Sequence, residues 1–441
     1  MSQQETTRPK LAAGPDARTP WPQSIALGLQ HVLAMDSYIL PLVLGASIGL
    51  GNADLTYFVQ MSFFACGVAT LLQCALMKLP IVQGPSYVPL GAMRMIGSTM
   101  GIATLLGSLI PGAILMVALG ASKLYSKFIR RVITPMIGGI IILIVGLTLV
   151  PTAVSGIFDS GGYGLTINAI SGCVAFGVML VCTVLQYALR RAGVLHLFSV
   201  IISLAAGTAV AWTMGDADFS AVAQASWFSL PMPFHFGVPR FDLGTCVLMA
   251  VIYLFVLIES TGTWFVIQDV TGEELTDQRV NRGTLGFGLG NLISALFGST
   301  PVTGYSSNAG LIPLTKIASR RVFVCAGAIL VALGFCPKLM AVVISLPVAV
   351  VDGVFAMVCV TLISAGMRII RSSAFDDRDS LIVGISVLCG VATMVFPADA
   401  MAAAPQFLQY FLASGVAVGG AAAILLQLLL PHPPAEHTDA S

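Results

Sequence analysis

A chain of 441 residues that is 57% hydrophobic and 9% charged, with a mean hydropathy of +0.93, is not a soluble domain; soluble domains carry about 25% charged residues. Its formal net charge of +1 and the lack of any basic run interleaved with aromatics argue against a nucleic-acid partner. The composition is that of a polytopic membrane protein, and its many glycines suit close helix packing.

The polar residues 1–20 lack the apolar core of a signal peptide and read as a short disordered cytoplasmic tail; residues 431–441 read as another. Between them, apolar runs long enough to span a bilayer, about 20 residues each, fall near 23–44, 55–77, 102–121, 132–151, 166–189, 194–213, 242–268, 319–337, 342–367, 379–396 and 405–430. Two further regions, 84–100 and 284–317, are apolar but interrupted by Gly, Pro, Ser and Thr. Counting the second as two segments gives about fourteen spans.

Charge placement agrees with that count. With the N-terminus inside, Lys123, Lys127, Arg130 and Arg131 fall on one cytoplasmic connection, and Arg190 and Arg191 on the next. Arg279 and Arg282, then Lys316, Arg320 and Arg321, then Arg368, Arg371 and Arg378 fall on the following three. The opposite connections 152–165 and 214–240 are nearly free of Lys and Arg, as the positive-inside rule requires. The long outer loop 214–240 carries Trp227, Phe228, Phe234 and Phe236, which suit the membrane interface.

The interrupted stretches carry the functional signal. Residues 297–321 hold Gly298, Ser299, Thr300, Pro301, Thr303, Gly304, Tyr305, Ser306, Ser307 and Asn308, then Pro313. Broken backbone at membrane depth is tolerated only where it is buried in protein or lines a cavity, and in transporters such pieces hold the solute. Gly84, Pro85, Ser86 and Tyr87 form an earlier piece of the same kind. LQHVLAMDSY precedes the Gly84–Tyr87 piece by two spans, and VLIESTGTW precedes the 297–321 stretch by two, a faint internal symmetry.

Four charged residues lie within apolar runs: Asp36, Arg94, Glu259 and Asp352. Burying such a group costs at least about 2.5–3.5 kcal/mol on insertion scales, so each is a functional candidate. Glu259, near the middle of its span, suits a proton carrier or a ligand for a polar solute. Asp36 lies five residues from His31, on a different face if both share one helix. Arg94 reads as a snorkelling side chain, and Asp352 as lying near the outer end of its span. The cysteines show no metal-ligand spacing and read as small reduced hydrophobes; no metal and no cofactor is expected. No nucleophile–base spacing or HExxH motif argues for an enzyme.

QHVLAM (Gln30–Met35), LIESTG (Leu257–Gly262), FGSTP (Phe297–Pro301) and SNAGLIPLTKIASR (Ser307–Arg320), with Asn308, Gly310 and Thr315 at the signature spacing, come in an order that resembles the nucleobase–ascorbate transporter family, the xanthine/uracil permeases. The resemblance covers roughly residues 20–430. It implies an all-α polytopic fold of about fourteen segments in two inverted seven-segment repeats, with short strands in segments three and ten. It further implies a core domain over about 21–121 and 241–337 and a gate domain over about 130–213 and 340–430. The implied activity is nucleobase import by proton symport with alternating access, in the plasma membrane, by a homodimer with both termini cytoplasmic. The implied partners are a small nucleobase, protons and the bilayer. By the same resemblance, Glu259, Tyr87, Ser86, Ser306, Ser307 and Asn308 would contact the base. Glu259, His31 and Asp36 would serve proton coupling, with Gln30, Thr263, Gly310 and Thr315 in support.

Four positions depart from the family pattern. Ser307 stands where xanthine and urate carriers usually have Gln and uracil carriers Glu. Thr263 replaces a frequent Asp or His, Asp36 replaces a small or aromatic residue, and Phe287 replaces an acid common in purine carriers. The shorter Ser307 leaves room for an oxidised purine such as xanthine or urate, or leaves Asp36 to supply the missing polar function. The alternatives are uracil or another planar solute, and an anion transporter or exchanger of the same fold.

Overall fold

The structure is a computed structural model that describes residues 11–132, 134–159, 164–189, 192–215, 219–371, 376–397 and 405–430. The expected C-terminal tail and residues 1–10 of the N-terminal one lie outside the described residues, as do Arg190 and Arg191 and the side chains of Arg130 and Arg131.

The first apolar run, 23–44, is broken rather than one continuous helix. Helix α1 (Trp21–Leu33) ends before Asp36, and α2 (Ile39–Ser47) resumes after Tyr38. Pro41 explains the break: in a continuous helix it has no N–H for the Ser37 carbonyl, and its ring would strike that carbonyl. In the first turn of α2 no N–H is needed there. The Ser37 carbonyl, released from the helix, accepts from Ser62 Oγ at 3.0 Å on α3 (Asn52–Met77). His31 and Asp36 therefore do not sit on two faces of one helix; Asp36 lies on non-helical backbone.

The chain continues through β1 (Gln83–Pro85), α4 (Leu90–Met100), α5 (Ile102–Ala121) and the short α6 (Leu124–Val132). Three long helices follow: α7 (Pro135–Asp159), α8 (Leu165–Leu189) and α9 (Ala192–Thr213). After α10 (Ser220–Gln224) come α11 (Leu243–Thr271), α12 (Asp277–Leu296), β2 (Val302–Gly304), α13 (Ser306–Ala309) and α14 (Leu311–Thr315). The C-terminal part comprises α15 (Arg320–Leu333), α16 (Pro337–Ile344), α17 (Val348–Arg371), α18 (Asp377–Ala392), α19 (Gln406–Leu412) and α20 (Gly415–Leu429).

Six of the described helices (α3, α5, α7, α8, α11 and α17) are long and apolar enough to cross a membrane unaided. Helices α15 and α16 pass the same test together but bend by 81°, where Gly334 closes one helix and Pro337 opens the next. This is an all-helical, multi-pass membrane protein with one two-stranded ribbon among its described residues.

Two sets of helices pack internally. In one, α3, α5, α12 and α15 pack together, with α1 on α15 and α11 on α5; in the other, α17 packs on α7 and α8, α8 on α9, and α20 on α7 and α18. Small residues set the approach: a Cβ on Gly67 would lie 2.5 Å from the Val331 nitrogen of α15, and one on Gly353 would lie 2.2 Å from the Gly172 carbonyl oxygen of α8.

Two connections make contacts with the helices and with the chain at their ends. Phe228 stacks on Phe335 (5.7 Å, 12°) and Phe236 packs edge-on against Phe58, so these aromatics of the 214–240 loop cover helix ends. Trp227 stays exposed, with the Lys338 ammonium 5.1 Å above its ring. Residues 11–20, expected as part of a disordered tail, pair with the chain that leaves α14: Ala13 and Ile317 form a parallel bridge.

Candidate functional site

The site is built on the ribbon that β1 and β2 form where the interrupted stretches meet. They pair antiparallel, Gln83 opposite Gly304, Gly84 opposite Thr303 and Pro85 opposite Val302. The ladder extends through Ser86 N–H to the Pro301 carbonyl (2.8 Å) and Tyr305 N–H to the Val82 carbonyl (3.0 Å). This register turns the backbone groups of Gln83, Pro85, Val302 and Gly304 outward. Within a membrane those edges must be satisfied by protein. Val302 donates to Asn291 Oδ1 at 2.8 Å and accepts from its Nδ2 at 3.0 Å. Gly304 donates to Ser260 Oγ at 2.9 Å and accepts from Thr263 Oγ1 at 2.8 Å. Gln83 donates to Thr70 Oγ1 at 2.9 Å. Pro85, facing outward, has no N–H to satisfy. A Cβ on Gly84 would come 2.3 Å from the Tyr305 ring, so the ring lies flat against backbone there.

Helix α11 delivers Glu259 beside this ribbon. Ser260 and Thr263 share a face, three residues apart, and grip β2, which turns the adjacent Glu259 towards β1. Ser86 Oγ donates to Glu259 Oε2 at 2.8 Å, and Thr303 also lies within hydrogen-bonding reach of that carboxyl. The carboxyl group is buried, with 9% of the residue exposed.

Asp36, on the break of the first span, meets both strand segments. Its Oδ2 accepts from the Tyr87 hydroxyl at 2.7 Å, and its Oδ1 accepts from the Tyr305 hydroxyl. The Tyr87 ring stacks on Phe355 of α17 (5.7 Å, 26°), where the two helix sets meet. The His31 ring packs tilted against Phe323 (4.5 Å, 42°) and faces Asn308. Among the described residues neither its Nδ1 nor either amide atom of Asn308 has a hydrogen-bond partner of good geometry.

The structure thus brings Glu259, Ser86, Tyr87, Asp36 and Thr263 together on the ribbon, with His31 and Asn308 adjoining. The side chains of Ser306 and Ser307 lie outside the described residues; their backbone forms the first turn of α13. Thr315 is not among the cluster. Its Oγ1 bonds the Leu311 carbonyl and the Ile317 N–H, closing α14. Gly310 is exposed and Gln30 half-buried. Phe287 is buried and meets Tyr253 edge-on at 6.4 Å. Arg94 is exposed on α4, whereas Asp352 is buried (4%) against Gly156, its Oδ1 unpartnered among the described residues.

Tyr305, Ser260, Thr303 and Asn291 are the site's unforeseen members. Tyr305 and Thr303 lay in the interrupted stretch itself, and an aromatic between a glycine and two serines was a usable signal.

Broken spans that carry a buried carboxyl to a satisfied ribbon define a membrane transporter. The chain belongs to the permease family, which residues 22–398 match, the family of the nucleobase–ascorbate transporters. It is a permease and not an enzyme. The uric acid permease PucK of Bacillus subtilis (strain 168) is 34% identical over 417 residues, 92% of this chain and 94% of the relative. The xanthine permease of the same organism is 32% identical over 92% of this chain and 93% of the relative. Among solved structures, the transmembrane domain of a cyanobacterium bicarbonate transporter, BicA, has the same fold, with a TM-score of 0.65 and 17% identity over 88% of this chain and 96% of that one.

Proposed function

We propose that this permease imports an oxidised purine, xanthine or urate, by proton symport with alternating access. The observation that carries the reading is the Glu259 carboxyl, buried against the ribbon and held by Ser86. A carboxyl so placed accepts an N–H of the base when ionised and donates to a ring nitrogen or carbonyl when protonated, so base occupancy and proton occupancy are linked. The relatives named for uric acid and xanthine support an oxidised purine as cargo.

In this reading Tyr87 offers its ring to the base. Its hydroxyl and that of Tyr305 both donate to Asp36, which leaves their oxygen lone pairs to accept N–H groups of the base. Ser306 and Ser307 line the pocket from the tenth segment, Asn308 shapes it, and His31 braces the site from the first span. Gln30, Thr263, Gly310 and Thr315 support these elements. Asp36 organises the two tyrosines. A larger base fills the space a short Ser307 leaves.

The wider architecture we propose is about fourteen segments in two inverted repeats, with α1 and α2 as one broken span, β1–α4 and β2–α14 as the third and tenth, and α15–α16 as another bent one. The set around α3, α5, α11, α12 and α15 corresponds to the core domain, 21–121 and 241–337, and the set around α7 and α17 to the gate, 130–213 and 340–430. We place both termini in the cytoplasm and the protein, as a homodimer, in the plasma membrane.

Uptake of radiolabelled xanthine, urate and uracil by cells expressing the chain tests the reading. Accumulation of xanthine or urate, abolished by a protonophore, is expected. Uptake of uracil alone moves the substrate class. No uptake of any base, with a current driven by small anions instead, overturns the reading in favour of an anion carrier of this fold.

A further inference from the structure

The stretch Leu11–Pro20 is tied to the chain that follows α14 by backbone and side-chain bonds together. The N–H groups of Ala12 and Ala13 donate to the Lys316 carbonyl at 2.8 and 3.3 Å. Ala318 N–H donates to the Ala13 carbonyl at 2.8 Å, and Arg320 N–H to the Pro15 carbonyl at 3.0 Å. Arg321 Nη1 reaches the Thr19 carbonyl at 2.8 Å, and its guanidinium lies 4.6 Å above the Trp21 ring. Thr19, Ala318 and Ser319 are buried in the contact. Arg320 pairs with Asp16, but Asp16 is 78% exposed, and an exposed pair contributes little. The backbone bonds carry the attachment.

What they attach is the least self-supporting part of the site. Helices α13 and α14 have four and five residues, too few to hold a helix in isolation. Lys316 ends α14 in a left-handed conformation, φ 58°, which a non-glycine residue keeps only where its surroundings hold it. One end of this segment is fixed by β2. The other end is fixed by residues 11–20, which run straight into α1 and so to His31, the residue that faces Asn308. The segment is therefore held at one end by β2 and at the other by residues 11–20.

We propose that Leu11–Pro20 is a positioning clamp that sets the geometry of α13 and α14, with Arg321 as its positioning residue. Substrate selection by Ser307 and Asn308 then depends on residues outside the membrane-spanning part. The transport arm of the test rests on the nucleobase reading; the exchange arm does not.

The double variant Ala12→Pro/Ala13→Pro removes both N–H donors to Lys316 at little cost in volume. Hydrogen–deuterium exchange on the purified protein should show peptides spanning 306–318 exchanging about tenfold faster, with peptides from α3 and α5 unchanged, because lost attachment opens that segment alone. In cells, KM for xanthine should rise several-fold at an unchanged amount of protein in the membrane. Arg321→Ala, which removes the side-chain bond to the Thr19 carbonyl, should act in the same direction more weakly, and Arg321→Lys should restore part of the effect. Unchanged exchange overturns the clamp whatever the transport result. Failure of the double variant and of a chain lacking residues 2–16 to insert assigns the segment to folding and also overturns it. If the unaltered chain moves no base, the nucleobase reading falls while exchange still decides the clamp.

Discussion

Asp36 shows how a single acid is accommodated at membrane depth. Holding such a charge costs about 2.5–3.5 kcal/mol on insertion scales, and a hydrogen bond to a charged acceptor returns about 1.5–3 kcal/mol. Two tyrosine hydroxyls on one carboxyl group offset the cost, and they tie the broken first span to both strand segments. Asp36→Asn keeps one acceptor oxygen and replaces the other with a donor, so one tyrosine hydroxyl can no longer donate to this side chain and must turn to accept from it. The expected result is a rise in KM for xanthine of about tenfold, which corresponds to about 1.4 kcal/mol, with the amount of protein in the membrane near normal. Equal KM values for the variant and the unaltered chain would remove the tyrosine pair from the binding surface.

The ribbon is stable only because its outward edges are closed by α3, α11 and α12. Asn291 closes two groups at once, the N–H and the carbonyl of Val302, whereas Thr263 closes one carbonyl. An orphaned buried group costs about 1–3 kcal/mol, and an unpaired carbonyl is tolerated better than an unpaired N–H. Asn291→Ala should therefore lower the melting temperature of the purified protein clearly more than Ser260→Ala, and Ser260→Ala more than Thr263→Ala. A different ranking in a thermal-shift series would refute edge closure as the reason for these residues. The interrupted stretches were legible in the sequence because glycine, proline, serine and threonine act locally on backbone. Of the residues that close their edges, Thr263 was expected as a supporting residue, but Asn291 and Ser260 were not. Asn291 or Ser260 on an apolar helix looks the same whether it bonds its own turn or a neighbour's strand. The break of the first span was hidden for a related reason: hydropathy sums over Asp36 and Pro41, while their effect depends on where the freed carbonyl of Ser37 goes. Residues 11–20 misled in the opposite way, since a polar stretch with few apolar residues docks here chiefly through backbone.

Accumulation against a gradient belongs to the complete transport cycle, and it separates binding from coupling. In the reading proposed here, the set holding the ribbon moves against the set holding α7 and α17, with the Tyr87–Phe355 contact at their boundary. Both occupied and empty carriers must cross, and Glu259 must change its proton between crossings. Glu259→Gln keeps the volume and an acceptor for Ser86 Oγ, so the site can still form and the loaded carrier can still cross. It cannot carry a proton. Proteoliposomes containing this variant should exchange internal unlabelled xanthine for external labelled xanthine at a rate within a fewfold of the unaltered protein. Under an imposed pH gradient, however, they should not concentrate xanthine above the outside level. The unaltered protein should concentrate it at least tenfold, which takes about 1.4 kcal/mol from the gradient. Concentration by the Gln variant to the same extent would move coupling away from Glu259. The next candidate would be Asp352, a buried acid on the opposite helix set whose Oδ1 has no partner among the described residues. Loss of exchange together with accumulation would instead make Glu259 a binding group first, because a residue used only for coupling leaves exchange intact.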